Sequence, residues 1–236
     1  MAFVLGLDFG GTKLAAGLVD TASGAVVARA VWPTAVAGGA EVSLALMIDM
    51  ARELMADYGP RTVDRTQPSG GRGAALDHGL PSLVLSGVGV SFGGPVEADA
   101  RTVRLSMHVP GWEGLRLADA LEAALGAPAQ VANDGDAAAL AEYHFGAGRG
   151  VRHMLYLTVS TGIGGGAVIN GQLFTGWRGL AIEPGHIKFP AADGNVYSLE
   201  ALASGTGIGR IAREKLAATD TPSRLRLLQA VDGKAV

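Results

Sequence analysis

Cysteine is absent from this chain of 236 residues, which excludes disulfide bonds and thiolate metal sites. Runs of lysine and arginine are also absent, and 19 basic against 22 acidic side chains argue against a nucleic-acid-binding surface. No apolar run reaches the roughly 18 residues that a membrane-spanning helix needs. The N-terminal segment lacks the pattern of a signal peptide. These absences predict a cytoplasmic protein with no nucleic-acid or membrane partner.

Glycine, by contrast, is abundant. The chain contains 36 glycines, placed in short clusters between apolar runs and without a collagen-like period. Hydrophobic residues make up 48% and charged residues 17%, enough for a sizeable buried core. This pattern indicates several tight backbone turns of the kind that grip phosphate, within a folded protein.

The hydrophobic pattern predicts alternating strands and helices. The first half is expected to form strands at 3–8, 13–20, 25–32 and 83–91, with a helix at 41–58. Residues 59–81 have little periodicity and are expected to form a flexible surface insertion. The second half is expected to form helices at 116–125, 135–147 and 206–228 (broken near 219–222), and strands at 128–132, 153–159 and 165–170.

Both halves open with a strand, a glycine turn and a second strand. This internal echo predicts an α/β fold of two related lobes around a cleft. We place an N-terminal lobe at 1–114 and a C-terminal lobe at 115–236.

The first glycine turn, Asp8-Phe9-Gly10-Gly11-Thr12-Lys13, lies between two predicted strands. Glycines let the backbone approach an anion closely, so that N–H groups cradle phosphate oxygens. The GxxxxGK[ST] spacing of a P-loop is missing. Taken alone, a Gly-Gly turn with an adjacent Asp is more often just an ordinary hairpin.

The second glycine turn, Ser160–Gly166, has the same strand-turn-strand context. One such cluster can simply mark a bulge or a corner in a sheet. Two of them in parallel contexts favour a clamp that holds a polyphosphate from both sides.

Asn133 and Asp134 follow a short apolar strand and precede a helical pattern. An Asn or Asp in this place commonly caps the helix. The other interpretation is catalytic, because α/β proteins place their chemistry at strand ends that face a cleft.

Seven motifs in order make the interpretation specific. They are DFGGTK, SFGGPVEAD, HVPGWEG, VANDGDAAALAE, STGIGGGAVINGQLFTG, EPGH and LEALASGTG, and they lie within a stretch from residue 3 to about residue 213. In content, order and spacing the chain resembles the ROK family of sugar kinases and repressors. The resemblance implies an actin-like ATPase (ribonuclease H-like) fold, with ATP, Mg²⁺ and a sugar bound between two lobes.

The resemblance also implies a role for each matching position, and Asp134 matches the family's general base. Asp8 is expected to hold Mg²⁺ through water. The positions that match sugar-hydroxyl ligands or the sugar-closing loop are Gly94, Pro95, Asn133, Glu183, His186 and Glu200. The positions that match the two phosphate motifs are Asp8, Gly10, Gly11, Thr12, Lys13, Thr161, Gly162 and Gly164.

The implied reaction is ATP-dependent phosphorylation of a hexose at its 6-hydroxyl, and a homodimer is implied as well. Glucose is the first choice because nothing in the sequence marks an acetamide pocket, although N-acetylhexosamines use the same ring-hydroxyl ligands. Two alternatives are a sugar-responsive regulator and a non-catalytic nucleotide binder. The regulator is disfavoured because no DNA-binding segment precedes the first motif, and the binder because Asn133-Asp134 and the EPGH motif are present.

The chain departs from the family pattern in two ways. Many members bind zinc through the residue matching His186 and three cysteines, whereas residues 187–199 of this chain contain no cysteine. We therefore expect no zinc, and we expect packing to hold this loop. Family members also continue for several tens of residues beyond the point that matches Val236. We therefore expect the chain to lack the C-terminal part of the nucleotide site and to turn over ATP weakly or not at all.

Overall fold

The computed structural model describes residues 2–58, 84–106, 108–219 and 222–224. The chain divides into two units, Met1–Asp134 and Gly135–Val236. The sequence-based boundary at 114/115 precedes a helix and a strand that the structure assigns to the first unit. The predicted insertion at 59–81 lies outside the described residues.

The first unit is built on a five-stranded mixed sheet with the order β3-β2-β1-β4-β5. Antiparallel pairing joins β1 to β2 and β2 to β3, while parallel pairing joins β1 to β4 and β4 to β5. The strands are β1 (Ala2–Phe9), β2 (Lys13–Asp20), β3 (Val26–Pro33), β4 (Val84–Phe92) and β5 (Ala129–Asn133).

Strict alternation of apolar side chains makes these segments strands with one face in the core. In β1 every second residue is buried, and β2 and β4 follow the same rule. The buried strand side chains of this sheet include Phe3, Leu5, Leu7, Phe9, Leu14, Leu18, Val88, Val90, Phe92 and Val131.

Two helices cover this core, α1 (Gly39–Tyr58) and α2 (Leu117–Leu125). Their buried residues recur at helical spacing, so each helix turns one apolar stripe toward the sheet. The helix α2 ends at Gly126, whose φ of 71° is the left-handed conformation that glycine adopts at low cost. The buried stripes are Met47, Met50, Ala51 and Leu54 on α1, and Leu117, Ala118 and Leu121 on α2.

Three aromatic rings close the core at the end of β1 and β4. Trp112 packs edge-on against Phe9 and Phe92, with ring centroids 5.2 and 5.1 Å away. All three side chains are buried. Edge-to-face aromatic pairs of this kind add to the stabilisation from burial itself, so Trp112 anchors the loop that follows β4 to the sheet.

The second unit contains a three-stranded antiparallel sheet, β6 (His153–Val159), β7 (Ile163–Ile169) and β8 (Gln172–Leu173), in the order β6-β7-β8. The helix α3 (Asp134–Phe145) approaches β7 at Gly166. A Cβ at Gly166 would lie 2.8 Å from the Ala139 Cβ, so the close contact between helix and strand requires glycine there.

A short hairpin and two helices complete the described part of the second unit. The hairpin pairs β9 (Lys188–Pro190) with β10 (Val196–Ser198), and α4 (Leu199–Ala203) and α5 (Gly205–Ala217) follow. Ser198 and Ser204 cap the two helices, accepting hydrogen bonds from backbone N–H groups at 3.1 and 3.0 Å.

The strand β6 has an alternating pattern with an unusual outer face. Leu155, Leu157 and Val159 point to one side, and all three are exposed. Among the described residues, β6 pairs only with β7.

The predicted segments agree closely with the structure. Each strand predicted before residue 171, and each helix before residue 148, is found with bounds that differ by two residues or fewer. The strands β8, β9 and β10 and the helix α4 were not predicted. Within the described ranges no helix is long and apolar enough to cross a membrane.

Replacing Trp112 by alanine tests the aromatic closure of the first unit. Trp112 is 2% exposed, so Trp112→Ala is expected to lower the free energy of unfolding, by about 3–5 kcal/mol in urea titrations followed by far-UV circular dichroism. The matched control is Trp177→Ala, because Trp177 is 93% exposed; its effect is expected to stay within about 0.5 kcal/mol. Equal effects of the two substitutions would contradict this account of the core.

Candidate active site

The first unit brings together the carboxyl ends of three neighbouring parallel strands. Asp8 in β1 pairs with Ser91 in β4, and Phe92 in β4 pairs with Asn133 in β5. Adjacent strands are about 4.8 Å apart, so the ends of β1 and β5 are separated by about 10 Å. The first glycine turn, the loop after β4 and the Asn133-Asp134 pair therefore share one edge of the sheet.

Asp8 lies one residue before the end of β1, half-buried, with its carboxylate oriented by a neighbour. The Ser91 hydroxyl donates a hydrogen bond of 2.8 Å to Asp8 Oδ1. A carboxylate fixed in this way beside a glycine turn has the donor type that Mg²⁺ prefers when it also binds phosphate oxygens.

The first glycine turn connects β1 to β2 and presents backbone N–H groups. The Gly10 N–H donates to the Lys13 carbonyl at 3.1 Å, and a Cβ on Gly10 would lie 2.8 Å from the same oxygen. Glycine is therefore required at position 10. Within the described part of the chain, no acceptor takes a hydrogen bond from the N–H of Gly11 or Thr12. These two donors are available to an anion.

Two residues outside the turn hold it in place. The Thr34 hydroxyl donates to the Gly10 carbonyl at 2.8 Å, and the Thr34 N–H donates to the Thr12 carbonyl at 3.1 Å. On another side, the ring of His108 packs on Gly11, where a Cβ would lie 2.8 Å from its Cγ. A side chain at position 11 would displace the imidazole.

The loop after β4 packs against the end of β5. The Asn133 side-chain amide donates to the Gly94 carbonyl at 3.1 Å. A Cβ on Gly94 would lie 2.5 Å from the Leu105 carbonyl oxygen, so only glycine fits between these segments. Pro95 follows in this loop, half-buried, and Asp134 is exposed as the first residue of α3.

The second unit contains the other predicted site residues. The turn between β6 and β7 includes Thr161 and Gly162, and Gly164 is the second residue of β7. Glu200 holds this turn, because its Oε2 accepts a hydrogen bond of 2.9 Å from the Ile163 N–H. A Cβ on Gly162 would lie 2.5 Å from the same oxygen. One oxygen of Glu200 is thus committed to the backbone.

Glu183 directly precedes a 3₁₀ turn, Pro184–His186, and His186 is its last residue. Both residues are exposed. This turn contacts β7 and α4, the elements that also carry Gly164 and Glu200. Four predicted residues of the second unit lie around the start of β7, namely Thr161, Gly162, Gly164 and Glu200. The 3₁₀ turn with His186 contacts the same strand.

The loop in which the resemblance placed a zinc site in other members is held by a polar cluster. The Asp193 carboxylate accepts hydrogen bonds from the Tyr197 hydroxyl at 2.7 Å and from the Asn195 side-chain amide at 3.0 Å. The Tyr197 bond, reinforced by Asn195, lowers the pKa of Asp193 to about 2. Packing alone was expected to hold this loop, and the structure shows that side-chain hydrogen bonds also hold it. Over the described ranges, no group of three or more potential ligands could hold a metal ion.

Three supporting residues were missed by sequence reasoning: Ser91, Thr34 and His108. Ser91 could have been found from its position, because it is the penultimate residue of β4, a strand that runs parallel to β1. Thr34 had no signal, because nothing in the sequence pairs the end of the third strand with the first turn. His108 has no partner that the sequence identifies, and its contact with Gly11 places it beside the turn.

The ROK family model matches residues 78–236. The chain belongs to the ROK family. A glucokinase from Streptomyces coelicolor is 31% identical over 236 residues, which cover 98% of this chain and 65% of that protein. An N-acetylmannosamine kinase from Salmonella typhimurium is 34% identical over 239 residues, covering 92% of this chain and 66% of that protein. This ROK chain thus spans about two thirds of the length of both relatives.

Solved structures agree with the family assignment. A ROK family glucokinase from Streptomyces griseus, in complex with glucose and AMPPNP, superposes with a TM-score of 0.68 at 30% identity, covering 92% of this chain and 62% of that one. The predicted α/β actin-like ATPase fold is thereby confirmed. A ROK family transcriptional regulator, a homologue of the E. coli MLC protein, shares the fold at a TM-score of 0.74 with 22% identity, covering 100% of this chain and 54% of that one.

Removing the Glu200 carboxylate should loosen the second glycine turn. Glu200→Ala leaves the Ile163 N–H without its charged acceptor, and the exchange of that amide with solvent is expected to accelerate about tenfold or more. Hydrogen-exchange NMR measures this, with Glu200→Gln expected between the two because it keeps an acceptor oxygen. Glu214→Ala is the control, since that carboxylate binds Arg210 within α5. Unchanged exchange at Ile163 would show that Glu200 does not hold the turn.

Removing the Tyr197 hydroxyl should raise the pKa of Asp193 from about 2 toward its ordinary 3.8. Because the pKa of Asp193 is lowered in the folded state, its ionised carboxylate stabilises the folded state. This contribution is fully present above about pH 4 and is lost as the pH falls through 2. Carboxyl NMR titration of Tyr197→Phe measures the shift, with Tyr156→Phe on β6 as the control. A pKa that stays near 2 in Tyr197→Phe would mean that another group holds the carboxylate.

Proposed function

We propose that this chain provides the phosphate and sugar sites of an ATP-dependent hexose kinase, with Asp134 as the general base. The observation that carries the proposal is the alignment of three strand ends in the first unit. The Mg²⁺ candidate Asp8, the free N–H groups of the first turn and the Asn133-Asp134 pair lie along one sheet edge. Phosphoryl transfer asks mainly for such positioning and charge neutralisation.

Asp134 is suited to accept a proton from an attacking hydroxyl. It is exposed and begins a helix directly after β5, so a sugar can approach its carboxylate. As the sugar oxygen attacks the terminal phosphorus of ATP, the hydroxyl proton passes to the Asp134 carboxylate and ADP leaves. A positioned general base of this kind contributes about 10²–10⁴-fold to the rate. Asn133 is fixed beside it by its bond to Gly94.

Each glycine turn is proposed to bind phosphate. In the first turn Gly11 and Thr12 offer N–H donors, and Lys13 offers a cation. In the second turn, Thr161 and Gly162 precede Ile163, whose N–H is bound by the Glu200 carboxylate. Mg²⁺, when bound through water to Asp8, would neutralise phosphate charge. The Streptomyces griseus relative binds the ATP analogue AMPPNP, which supports ATP as the phosphoryl donor here.

The acceptor is proposed to be glucose. The proposed hydroxyl ligands are Gly94, Pro95 and Asn133 in the first unit, and Glu183, His186 and Glu200 in the second. The similarity to glucokinases supports this choice. The similarity to an N-acetylmannosamine kinase keeps N-acetylhexosamines as the competing acceptors. A homodimer, a cytoplasmic location and the absence of a nucleic-acid partner remain predictions, as does the absence of zinc.

The regulator is the second candidate function, because the fold is shared with a ROK transcriptional regulator. The two functions differ in what the bound sugar does. A kinase releases ADP when sugar is added, whereas a sensor binds the sugar and leaves ATP unchanged.

Sugar-dependent ADP release by wild type and Asp134→Asn tests the proposal. The assay uses protein in excess over ATP and follows a single turnover with glucose and a panel of N-acetylhexosamines. The Asp134→Asn rate is expected to fall at least about 10²-fold, with sugar binding retained. Asp49→Asn, an exposed position on α1, is the matched control and is expected to react like wild type.

Each result of this assay has a defined meaning. ADP release that depends on an N-acetylhexosamine and not on glucose keeps the kinase and changes the acceptor. Binding of both sugar and ATP without ADP release from any sugar favours the regulator. Equal rates for wild type and Asp134→Asn would falsify the assignment of the base.

A further inference from the structure

One residue outside the first glycine turn makes hydrogen bonds to both of its ends. Thr34 directly follows β3 and is half-buried. Its hydroxyl donates to the Gly10 carbonyl at 2.8 Å, and its N–H donates to the Thr12 carbonyl at 3.1 Å. The two acceptors bracket Gly11, the centre of the turn.

These two bonds fix the direction of the N–H groups that the turn can offer to an anion. A peptide unit is planar, and in the trans form its C=O and N–H point in opposite directions. The described backbone contains no cis peptide bond. Because Thr34 draws the Gly10 carbonyl toward itself, the N–H of Gly11 points away from Thr34. The bond to the Thr12 carbonyl orients the Lys13 N–H in the same way.

The turn depends on this external hold because little else restrains it. Gly10 and Gly11 have no side chains, so their backbone is the most free to rotate. The Gly10 N–H is bound to the Lys13 carbonyl, and the His108 ring limits the space at Gly11. Neither contact involves the Gly10 carbonyl, which sets the Gly11 N–H. That carbonyl receives its bond from the Thr34 hydroxyl.

We infer that Thr34 is a positioning residue for anion binding at the first glycine turn: its hydroxyl holds the Gly10–Gly11 peptide unit with the N–H toward the phosphates. The inference rests on the proposed nucleotide-binding function of this turn. Thr34 itself does not touch the phosphates, because its hydroxyl and its N–H both point at carbonyl oxygens of the turn.

The test separates the hydroxyl from everything else that Thr34 contributes. Thr34→Val keeps the shape of the side chain and the backbone N–H and removes only the hydroxyl. Thr34→Ser restores the hydroxyl. The matched control is Thr21→Val, because the Thr21 hydroxyl and N–H also donate to one backbone carbonyl, that of Ala2, at 2.9 and 3.1 Å. Thr21 lies at the opposite end of β2 from the turn.

Two measurements report on the turn without requiring turnover. Calorimetric titration with ATP, and with inorganic tripolyphosphate as a sugar-free and adenine-free probe, is expected to show Thr34→Val binding both about three- to tenfold more weakly. Backbone NMR order parameters of Gly11 and Thr12 are expected to fall in Thr34→Val from about 0.85 toward 0.6. Thr34→Ser and Thr21→Val are expected to remain within about twofold of wild-type affinity.

The outcomes distinguish this inference from the kinase assignment. Wild-type affinity and unchanged order parameters in Thr34→Val overturn the positioning role, whatever the ADP-release assay gives. Weaker binding in Thr34→Val with rescue by Thr34→Ser supports the role, even when no sugar triggers ADP release and the kinase assignment fails. Equal losses in Thr34→Val and Thr21→Val would also overturn it, since the effect would then be one of general stability. Failure of the wild type to bind ATP or tripolyphosphate would overturn both.

Discussion

The candidate site of the first unit depends on one constraint, the in-register parallel pairing of β1, β4 and β5. Parallel strands deliver their carboxyl ends to the same edge, and here the register matches Asp8 with Ser91 and Phe92 with Asn133. Chain segments more than a hundred residues apart are thereby placed side by side. The aromatic cluster of Phe9, Phe92 and Trp112 packs in the core at the ends of β1 and β4 and fixes them there. A slip of one residue would turn Asp8 or Asn133 to the opposite face of the sheet.

Both glycine turns have the same physical problem and a similar solution. Glycine allows a tight backbone with available N–H donors, but it leaves that backbone with little restraint of its own. In each unit a side chain from a later segment supplies the restraint. Thr34 donates to a carbonyl of the first turn, and Glu200 accepts from an N–H next to the second. One support is a hydrogen-bond donor and the other is an acceptor. The similarity between the two halves therefore extends to the strand-turn-strand segments but not to the side chains that support them.

The sequence was sufficient for the strands before residue 171 and the helices before residue 148, because alternation and helical spacing of apolar side chains determine which segments are buried. The hydrogen bonds that support the site were not predicted. The bond from Ser91 to Asp8 follows from strand register, and the bond from Thr34 to Gly10 follows from the path of β3. The boundary between units also differed, because the segment from Leu115 looks like the start of a new unit in the sequence, and yet its strand β5 pairs with β4. The Asp193 cluster was missed because short hairpins carry little periodicity.

The outer side of β6 has a practical consequence for the behaviour of this chain at high concentration. Leu155, Leu157 and Val159 form an exposed apolar row on a strand that, over the described residues, is paired on one side only. Such a strand is a template onto which a second molecule can add its own backbone, burying both rows. Association at high concentration is therefore expected to begin at this strand rather than at the sheet edge that carries Asp8 and Asn133. A lysine at position 157 would oppose it without changing any of the proposed site residues.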